Sequence, residues 1–411
     1  MGMREFRDDD AGYVNWLDAH PDGYVINISR SHRPTGSRMH RAGCRWIRST
    51  GQPRQQTRTY VKICAERVDE LEQWAIDKML EPIQGCQCLR AGEIVRRSPM
   101  SRIAHAHRLP MLEGRYDIHF QESDGAVVEA WADDYIRFER KHRPPWQEQL
   151  RNDIRQRCRQ LKPTDGQLLH ATFFGDKLSN ADVENLVLYY IDDSFKVPGA
   201  NGIRFEYGGQ DSPPSPSGTA YRFCYRYVLS PRSEGFDHWQ QGPLLATFDW
   251  IDLGDFPEAK RLAQIWLALA RARSRGEVTV YKSAAPGTPF ALRVQVRPPR
   301  SVQPVWGRFV KPLFDGVICA FQAHTDVSIL PDLIARLVKY LPAEPVELKT
   351  HLLDQRWAVL GTVPRLLYTY RNDVKWDPAD NNCLAGDLLA EPAGPGWAIK
   401  GELIELSRRP S

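Results

Sequence analysis

Residues 146–174 read WQEQLRNDIRQRCRQLKPTDGQLLHATFF, a charged amphipathic stretch followed by an apolar one. Apolar residues at helical spacing predict a helix over 146–161, and the short apolar run at its end predicts a strand over 168–174. Two prolines directly before this stretch mark a break from the preceding chain. A helix that packs against a buried strand is therefore the unit from which the rest of the fold is predicted.

The same order of elements returns about 120 residues later. Residues 257–273 have helical spacing, and residues 278–281 and 290–296 are typical of strands. A further segment follows each time, at residues 182–192 in the first instance and 309–321 in the second. This period is far longer than that of solenoid repeats. It predicts a duplicated mixed α/β unit, which would form a pseudo-dimer within one chain.

The predicted fold class is α/β (α+β), with a small N-terminal module before the duplicated unit. Helices at 10–19 and 67–79 and a strand at 23–28 indicate that module. The segment after it is predicted to be β-rich, with a hairpin of strands at 116–120 and 126–131, and the residues around Trp376 and 401–406 to be β hairpins that finish the sheet. The predicted divisions are 1–92 for the module, 93–143 for a connector, 144–255 for the first unit and 256–411 for the second.

The composition is that of an ordinary globular protein. The 411 residues are 42% hydrophobic and 26% charged, which argues against a disordered, collagenous or coiled-coil chain. No apolar run approaches a membrane span, and the N-terminus MGMREFRDDDAG has the wrong charge order for a secretory signal. Eight cysteines are too sparse for a disulfide scaffold. We therefore expect a soluble, cytoplasmic protein of bacterial type without a membrane partner.

The formal net charge is only +4, but the positive charge is segregated. Residues 23–65 contain no Asp or Glu, and ring side chains such as Trp46 alternate with their basic residues, which are Arg30, Arg33, Arg38, Arg41, Arg45, Arg48, Arg54, Arg58 and Lys62. Arginine favours bidentate contacts with phosphate, and rings stack on bases. The segment predicts a nucleic-acid partner, more specifically DNA. The alternatives are a solvated face paired with nearby acids, or a docking surface for an acidic protein.

Two pairs of nitrogen or sulfur ligands overlap this basic segment. His40 and Cys44 form the first pair, and Cys86 and Cys88 form the second after a 41-residue interval. Four such ligands are typical of a structural zinc site, and zinc would stabilise a module of this size directly. The module is therefore predicted to be zinc-ribbon-like. Cys64 is an alternative ligand, and reduced, partly buried cysteines without a metal are the alternative interpretation.

From His40 to Arg90 the chain resembles the zinc-binding module of Ada-type DNA repair proteins. The resemblance lies in the first ligand pair, an intervening helix, and a closing cysteine pair followed by Leu89 and Arg90. It implies contact with the DNA backbone. The use of His40 and the tighter closing pair depart from the family pattern, so its alkyl-transfer chemistry is not carried over.

Carboxylates cluster in the segment that follows the first predicted strand. Asp182 and Glu184 are two residues apart, and Asp192 follows them. Carboxylate oxygens are ligands that Mg²⁺ prefers, so these residues are candidates for phosphodiester chemistry. The alternative is that Asp182 and Glu184 cap a helix that begins near Asn185.

The spacing also resembles the RusA-type Holliday junction resolvases, whose pattern is D-x-D-N-L-x-K-x-x-x-D-A-L with a later Asp. In the first copy Asp182, Glu184, Asn185, Leu186 and Asp192 fall on the pattern, but Leu188 replaces the Lys. In the second copy Lys311, Asp315 and the late Asp326 fall on it, whereas its early positions are occupied by Val305, Gly307 and Arg308. The resemblance covers residues 146–195 and 259–326. It implies a Mg²⁺-dependent nuclease fold that works as a dimer.

Each copy keeps a different part of the pattern, and this decides what function is expected. Either Asp182 and Glu184 combine with Asp326 across the pseudo-dimer, or the site is degenerate, because two carboxylates alone bind Mg²⁺ poorly. We expect a nucleic-acid-binding protein of DNA repair or defence without hydrolysis of its own. A Mg²⁺-dependent structure-selective endonuclease and a protein-interaction scaffold are the alternatives, so the sequence leaves open whether the protein is an enzyme.

Overall fold

The computed structural model describes residues 3–29, 37–48, 56–79, 85–86, 88–89, 115–121, 126–138, 143–176, 182–189, 191–254, 256 and 261–409. The chain divides into two compact units, Met1–Leu112 and Glu113–Ser411. The architecture is mixed α/β, with one large mixed sheet in the second unit. No helix in these ranges is long and apolar enough to cross a membrane.

The N-terminal unit is a four-stranded antiparallel sheet with a helix on each face. Its strands follow the order β1-β4-β2-β3, and its elements are β1 (Arg4–Phe6), α1 (Asp10–Ala19), β2 (Tyr24–Ser29), β3 (Arg38–Arg41), α2 (Gln56–Thr59), β4 (Tyr60–Ala65) and α3 (Val68–Met79). The predicted helices at 10–19 and 67–79 and the strand at 23–28 are therefore present, with ends shifted by one residue at most.

Alternation along the strands explains why both faces of this sheet are covered. Val25 on β2 packs with the buried rings of α1, whereas its neighbour Ile26 packs with Leu71 and Trp74 of α3. Successive side chains of a strand point to opposite faces, so two small apolar clusters form instead of one. Cys44 and Cys86 belong to the cluster on the α1 side.

The second unit is built around a ten-stranded sheet with the order β11-β10-β18-β12-β17-β8-β7-β9-β6-β5. Its strands are β5 (Tyr116–Gln121), β6 (Val127–Ala132), β7 (Gln167–Phe174), β8 (Gly202–Gly209), β9 (Phe223–Pro231), β10 (Trp239–Gly254), β11 (Val278–Val280), β12 (Phe290–Arg297), β17 (Cys383–Ala390) and β18 (Trp397–Arg408). Two short pairs lie outside it, β13 (Ala323–His324) with β14 (Thr362–Val363) and β15 (Leu367–Tyr370) with β16 (Asp373–Trp376).

The helices of this unit are α4 (Pro145–Cys158), α5 (Val183–Val187), α6 (Arg261–Ser274), α7 (Gly307–Ala320), α8 (Leu330–Leu337) and α9 (Pro345–Leu353), with 3-10 helices at Asp192–Phe195 and Gln355–Trp357. The helix predicted at 146–161 and the strand predicted at 168–174 are α4 and β7. The segment predicted at 309–321 is α7. Since α5 lies between β7 and β8, and α7 lies between β12 and β17, both helices follow a central strand of the sheet.

The strands on either side of the centre of the sheet have the same succession of neighbours. β8 is parallel to β7, which is antiparallel to β9, which is antiparallel to β6. β17 is parallel to β12, which is antiparallel to β18, which is antiparallel to β10. The two halves meet where β8 and β17 run antiparallel, with Arg204 opposite Asp387.

The two faces of the central strands are buried by different means. On one face, Phe205 of β8 packs against Phe314 of α7 with ring centroids 5.0 Å apart, and a Cβ at Gly386 would lie 2.2 Å from that second ring. On the other face, Asp387 is buried between two guanidinium groups, with Arg204 Nε at 2.6 Å and Arg293 Nε at 2.9 Å. Paired and hydrogen-bonded charges are the form in which charges are tolerated in an interior.

Three predictions about organisation need correction. The hairpin assigned to a connector at 93–143 is β5 and β6, and it extends the large sheet by pairing with β9. Residues 401–406 belong to β18, which lies between β10 and β12 in the sheet and does not finish it as a hairpin. Trp376 lies in the separate β15–β16 pair. Alternation identifies a strand but not its partners, which explains these errors. The boundary near residue 92 lies outside the described residues.

Candidate functional site

The four predicted zinc ligands lie together in the N-terminal unit. The ligand atoms of His40, Cys44, Cys86 and Cys88 are all within 4.8 Å of one another, so this group could hold a metal ion. His40 lies on β3 and Cys44 in the turn that follows, where its amide donates to the carbonyl of Arg41 at 2.9 Å. The Cys86 amide donates to the Met39 carbonyl at 2.8 Å, which fixes the second pair beside β3.

The distance between His40 and Cys44 within the group is the one expected of two ligands in tetrahedral coordination. Ligand bonds of about 2.0–2.3 Å at tetrahedral angles separate nitrogen and sulfur ligands by roughly 3.5 Å. His40 Nδ1 lies 3.4 Å from Cys44 Sγ, and the Arg41 amide donates to Cys88 Sγ at 3.4 Å. Burial and the nearby Lys62 lower the pKa of His40 to about 4, which keeps the imidazole neutral. Cys64, the alternative ligand, lies on β4 and is not part of the group.

The basic segment presents part of its predicted surface. Arg38 and Arg45 are exposed, and Trp46 is 73% exposed with the Arg45 guanidinium 5.3 Å from its ring centroid. Arg41 lies 5.9 Å from the ring centroid of Tyr24. The predicted contacts at Arg30, Arg33 and Arg54 lie outside the described residues, as does the side chain of Arg58.

Two basic residues of this segment have a structural role that the sequence did not reveal. Lys62 is only 6% exposed, donates to Asn27 Oδ1, and has its pKa lowered to about 8 by burial. The prediction that Lys62 contacts phosphate does not fit this burial. Arg48 donates to Asp18 Oδ1 at 2.9 Å and to the carbonyls of Leu17 and Ala42, so it joins α1 to the turn after β3. An arginine with these bonds is a poor candidate for phosphate binding.

In the second unit the fold brings together carboxylates from the first predicted copy and a lysine from the second. Lys311 and Asp315 lie four residues apart on α7, while Asp182 precedes α5 and Glu184 lies in its first turn. The Lys311 ammonium lies 3.3 Å from Asp182 Oδ2, 3.2 Å from Glu184 Oε1 and 3.2 Å from Asp315 Oδ1. Asn185 Nδ2 donates to the same Asp182 oxygen at 2.8 Å. The Asp182 side chain makes no capping bond, so capping does not account for its position.

A further carboxylate, Asp380, was missed by the sequence analysis. It lies between β16 and β17, and its carboxyl group is hydrogen-bonded to that of Asp182. Burial and the neighbouring carboxylates raise the pKa of Asp380 to about 10. The RusA pattern has no counterpart for a residue this far along the chain. The only local signal was its position three residues before the strand Cys383–Ala390.

The pKa values in this group follow from burial first and from the crowding of like charges second. Burial raises the pKa of Glu184 to about 8 and that of Asp315 to about 6, although Lys311 opposes both shifts. Burial would lower the pKa of Lys311, but the surrounding carboxylates raise it well above its usual value. Four carboxyl groups therefore share one ammonium, and the group is short of positive charge when all four are ionised.

The group opens into a cleft of about 480 Å³ between α5 and α7. Its polar lining includes Glu184, Lys311 and Asp315, with Arg308 one turn before the lysine. Its apolar lining consists of Leu188, Tyr189, Leu262, Val310 and Pro312. Glu184, Asp315 and Lys311 thus border a space that a ligand could enter.

The remaining predicted catalytic residues are placed differently. The Ser328 hydroxyl donates to Asp326, as do Arg365 Nε at 2.9 Å and the Ser328 amide at 3.1 Å, and these bonds lower the pKa of Asp326. It is therefore engaged with residues outside the lysine-centred group. Asp192 begins the 3-10 helix Asp192–Phe195, and its side chain lies outside what the structure describes.

A second group of possible metal ligands consists of His170, Glu206 and Asp237. Glu206 is buried, and its two oxygens accept the amides of Asp237 and His238, each at 3.0 Å. His170 Nε2 lies 2.9 Å from Glu206 Oε1. Because these contacts already satisfy the carboxylate, the group is best explained as a link between β7, β8 and the turn before β10.

Comparison of the chain with protein-family models, with curated proteins and with solved structures finds no match, so the resemblances to Ada-type and RusA-type proteins rest on the residues named above.

Proposed function

We propose that the protein binds nucleic acid and hydrolyses its phosphodiester backbone with the help of Mg²⁺, at the centre formed by Asp182, Glu184, Asp315, Asp380 and Lys311. One observation carries this proposal: the lysine that the first copy lacks is supplied by α7, within 3.3 Å of the first copy's carboxylates. The expectation of a degenerate site assumed that only two carboxylates were available. Asp315 and Asp380 remove that assumption.

The proposal includes a duplication of the α/β unit within the chain. The matching succession of strand neighbours on either side of the β8–β17 contact supports two copies of one α/β unit. α5 lies in the chain between the parallel strands β7 and β8, and α7 lies between the parallel strands β12 and β17. The two helices therefore occupy equivalent places. The RusA-like pattern D-x-D-N-L-x-K-x-x-x-D would then be divided between these two helices, with its first two carboxylates at the start of α5 and its lysine and last carboxylate on α7.

The charge and ligand chemistry of the centre fit a divalent cation. Mg²⁺ takes oxygen ligands and usually binds through a few carboxylates. Glu184 and Asp315 offer these in the cleft, and Asp182 lies with them around Lys311. When bound, such a cation activates water and offsets the charge of the phosphate. Lys311 has three ammonium hydrogens to donate to a phosphate oxygen, and Asn185 holds Asp182 in place.

The N-terminal unit would supply binding in this proposal. Zinc held by His40, Cys44, Cys86 and Cys88 would stabilise a unit whose apolar clusters are small. The exposed Arg38, Arg45 and Trp46 on the same segment offer cations for phosphates and a ring for stacking. Contact of this kind is what the resemblance to the Ada-type module implies.

Binding without hydrolysis is the second candidate, and one observation favours it. Lys311 already lies against three carboxylates, as a lysine does when it replaces a metal ion in a structural network. In that case the centre would stabilise the contact between α5 and α7 and leave the substrate intact. The two candidates differ in whether any divalent cation produces cleavage.

Cleavage assays decide between them. Full-length protein would be incubated with end-labelled single-stranded, duplex and branched DNA and with RNA, in Mg²⁺, Mn²⁺ or EDTA. We expect metal-dependent cleavage that falls at least about 100-fold in Asp182→Asn and Asp315→Asn, since each removes a ligand charge. Asp332→Asn is the matched control, because Asp332 is an exposed residue of α8 that pairs with Arg336. Salt-sensitive binding without cleavage in either metal would overturn hydrolysis and leave binding alone.

A further inference from the structure

We infer that the cleft beside Lys311 accepts a single unpaired nucleotide, with its base against Tyr189 and a neighbouring phosphate at Arg308. The inference rests on the proposed function and names the form of nucleic acid that this centre takes: single-stranded or locally unpaired, as opposed to intact duplex.

The size of the cleft is the first argument. A volume of about 480 Å³ falls in the range of pockets that hold small molecules and nucleotides, roughly 300–1,000 Å³. A strand with unpaired bases can place one nucleotide in a pocket of this size, whereas a base stacked within a duplex must first be extruded from the helix. Because Glu184 and Asp315 lie within this cleft, a strand that reaches them would present one nucleotide at a time.

The distribution of lining residues is the second argument. Apolar and charged side chains line the same cleft, the apolar ones including Leu188, Leu262 and Pro312. A nucleotide combines an apolar ring face with a charged phosphate. Lys311 and Arg308 are the lining cations that match the phosphate.

Tyr189 is the side chain suited to hold a base. It lies directly after α5 and is 57% exposed, and the ring of Phe138 supports it edge-on with centroids 6.3 Å apart. An exposed ring that lines a polar cleft can stack on a base, and such stacking does not depend on which base it is.

Arg308 is the side chain suited to hold the adjacent phosphate. It lies in the first turn of α7, three residues before Lys311, so the two cations are neighbours on one face of the helix. A planar guanidinium binds phosphate oxygens in pairs. Arg308 occupies the asparagine position of the RusA-like pattern, so this position has a side chain that can bind phosphate.

Fluorescence of 2-aminopurine in a single-stranded oligonucleotide tests the inference without added Mg²⁺ or Mn²⁺, where no cleavage occurs. We expect quenching on binding to wild type and to Tyr189→Phe, and loss of quenching with about tenfold weaker binding in Tyr189→Ala. Tyr281→Ala is the matched control, because Tyr281 is also 57% exposed but lies after β11, away from the cleft. Arg308→Ala should weaken binding more than Arg308→Lys.

Cleavage of the same sequence as single strand, gapped duplex and intact duplex completes the test. The inference predicts that single-stranded and gapped forms are cut at least about tenfold faster than intact duplex, and that Tyr189→Ala removes this preference. Equal quenching in Tyr189→Ala and Tyr281→Ala, or equal cleavage of intact duplex, would overturn it. Absence of cleavage with normal Tyr189-dependent quenching would instead refute hydrolysis and retain the nucleotide site.

Discussion

The ammonium group of Lys311 lies against three carboxylates. Asp182 and Glu184 lie 129 and 127 residues before Lys311 in the chain, and Asp315 lies on the same helix, α7. A carboxylate group of this density is unfavourable without a cation, because the like charges repel one another at close range. Lys311 therefore stabilises the metal-free centre, and a divalent cation would compete with it for the same oxygens.

Replacing Lys311 should separate these two effects. Without metal, Lys311→Met should lower the free energy of unfolding by about 1–3 kcal/mol, a value reduced because the ammonium is partly exposed. Mn²⁺ should raise the melting temperature of Lys311→Met more than that of wild type, since the competing charge is gone. Thermal unfolding with and without Mn²⁺ measures both, with Lys311→Arg as the variant that keeps the charge. A Lys311→Met protein that is fully stable and indifferent to Mn²⁺ would contradict this assignment.

The cysteines of the N-terminal unit provide a second test at this scale. Elemental analysis of purified protein should find about one zinc per chain, because four ligand atoms converge there. The Cys86→Ser, Cys88→Ser double variant should lose the metal, whereas Cys64→Ala should retain it, since Cys64 is outside the group. A folded wild-type protein without bound metal, or loss of zinc in Cys64→Ala, would show that the ligand assignment is wrong.

At the scale of elements, local periodicity predicted α4, β7, α6 and α7 well, because in each of them the spacing of apolar residues matches the period of a helix or of a strand. It could not predict pairing. β18 lies in the interior of the sheet although it comes last in the chain, and nothing in its alternation identifies β10 and β12 as neighbours.

The candidate site shows the same division between local and long-range information. Asp182 and Glu184 could be named from their spacing, and Lys311 and Asp315 from the resemblance to the RusA-type pattern. That the two pairs meet, and that Asp380 joins them in place of Asp326, depends on how α5, α7 and the residues before β17 pack. Such contacts are set by the tertiary fold and leave little signal in sequence.

The buried polar link between β7, β8 and the turn before β10 gives a prediction for pH. Burial would raise the pKa of Glu206, but His170 and two backbone amides lower it overall. A carboxyl whose pKa is lower in the folded state stabilises the protein above its unfolded pKa of about 4.3, and this contribution is lost as the pH falls through its folded pKa.

Glu206→Gln should therefore lower the free energy of unfolding by about 1–3 kcal/mol at pH 7 and make its decline below pH 4 shallower. Denaturant unfolding at a series of pH values measures this. Glu234→Gln is the control, because Glu234 is exposed in the loop between β9 and β10, which also contains Asp237 and His238. Parallel pH profiles for wild type and Glu206→Gln would contradict the role given to this carboxylate.

At the scale of the whole molecule, the proposed pseudo-dimer would hold one catalytic centre where a symmetric dimer holds two. The equivalent places of the second copy are Val305, Gly307 and Arg308, which cannot supply carboxylates, and Leu188 stands where the first copy would provide a lysine. The lost centre would leave a binding surface that still positions nucleic acid.

One centre per chain predicts single cuts. On supercoiled plasmid the nicked circle should accumulate first and linear product should appear later, at a rate set by independent second cuts. Gel electrophoresis over a time course measures this at protein concentrations below that of the plasmid. Simultaneous appearance of linear and nicked product would indicate paired centres and contradict the single-site assignment.

The central claim is that α5 and α7 together form one divalent-cation centre. Anomalous diffraction from crystals soaked in Mn²⁺ tests it most directly. The account predicts a peak in contact with oxygens of Asp182, Glu184 and Asp315, with the Lys311 ammonium displaced from them, and loss of the peak in Asp315→Asn. No peak at this position while Lys311 keeps its three carboxylate contacts would contradict the claim.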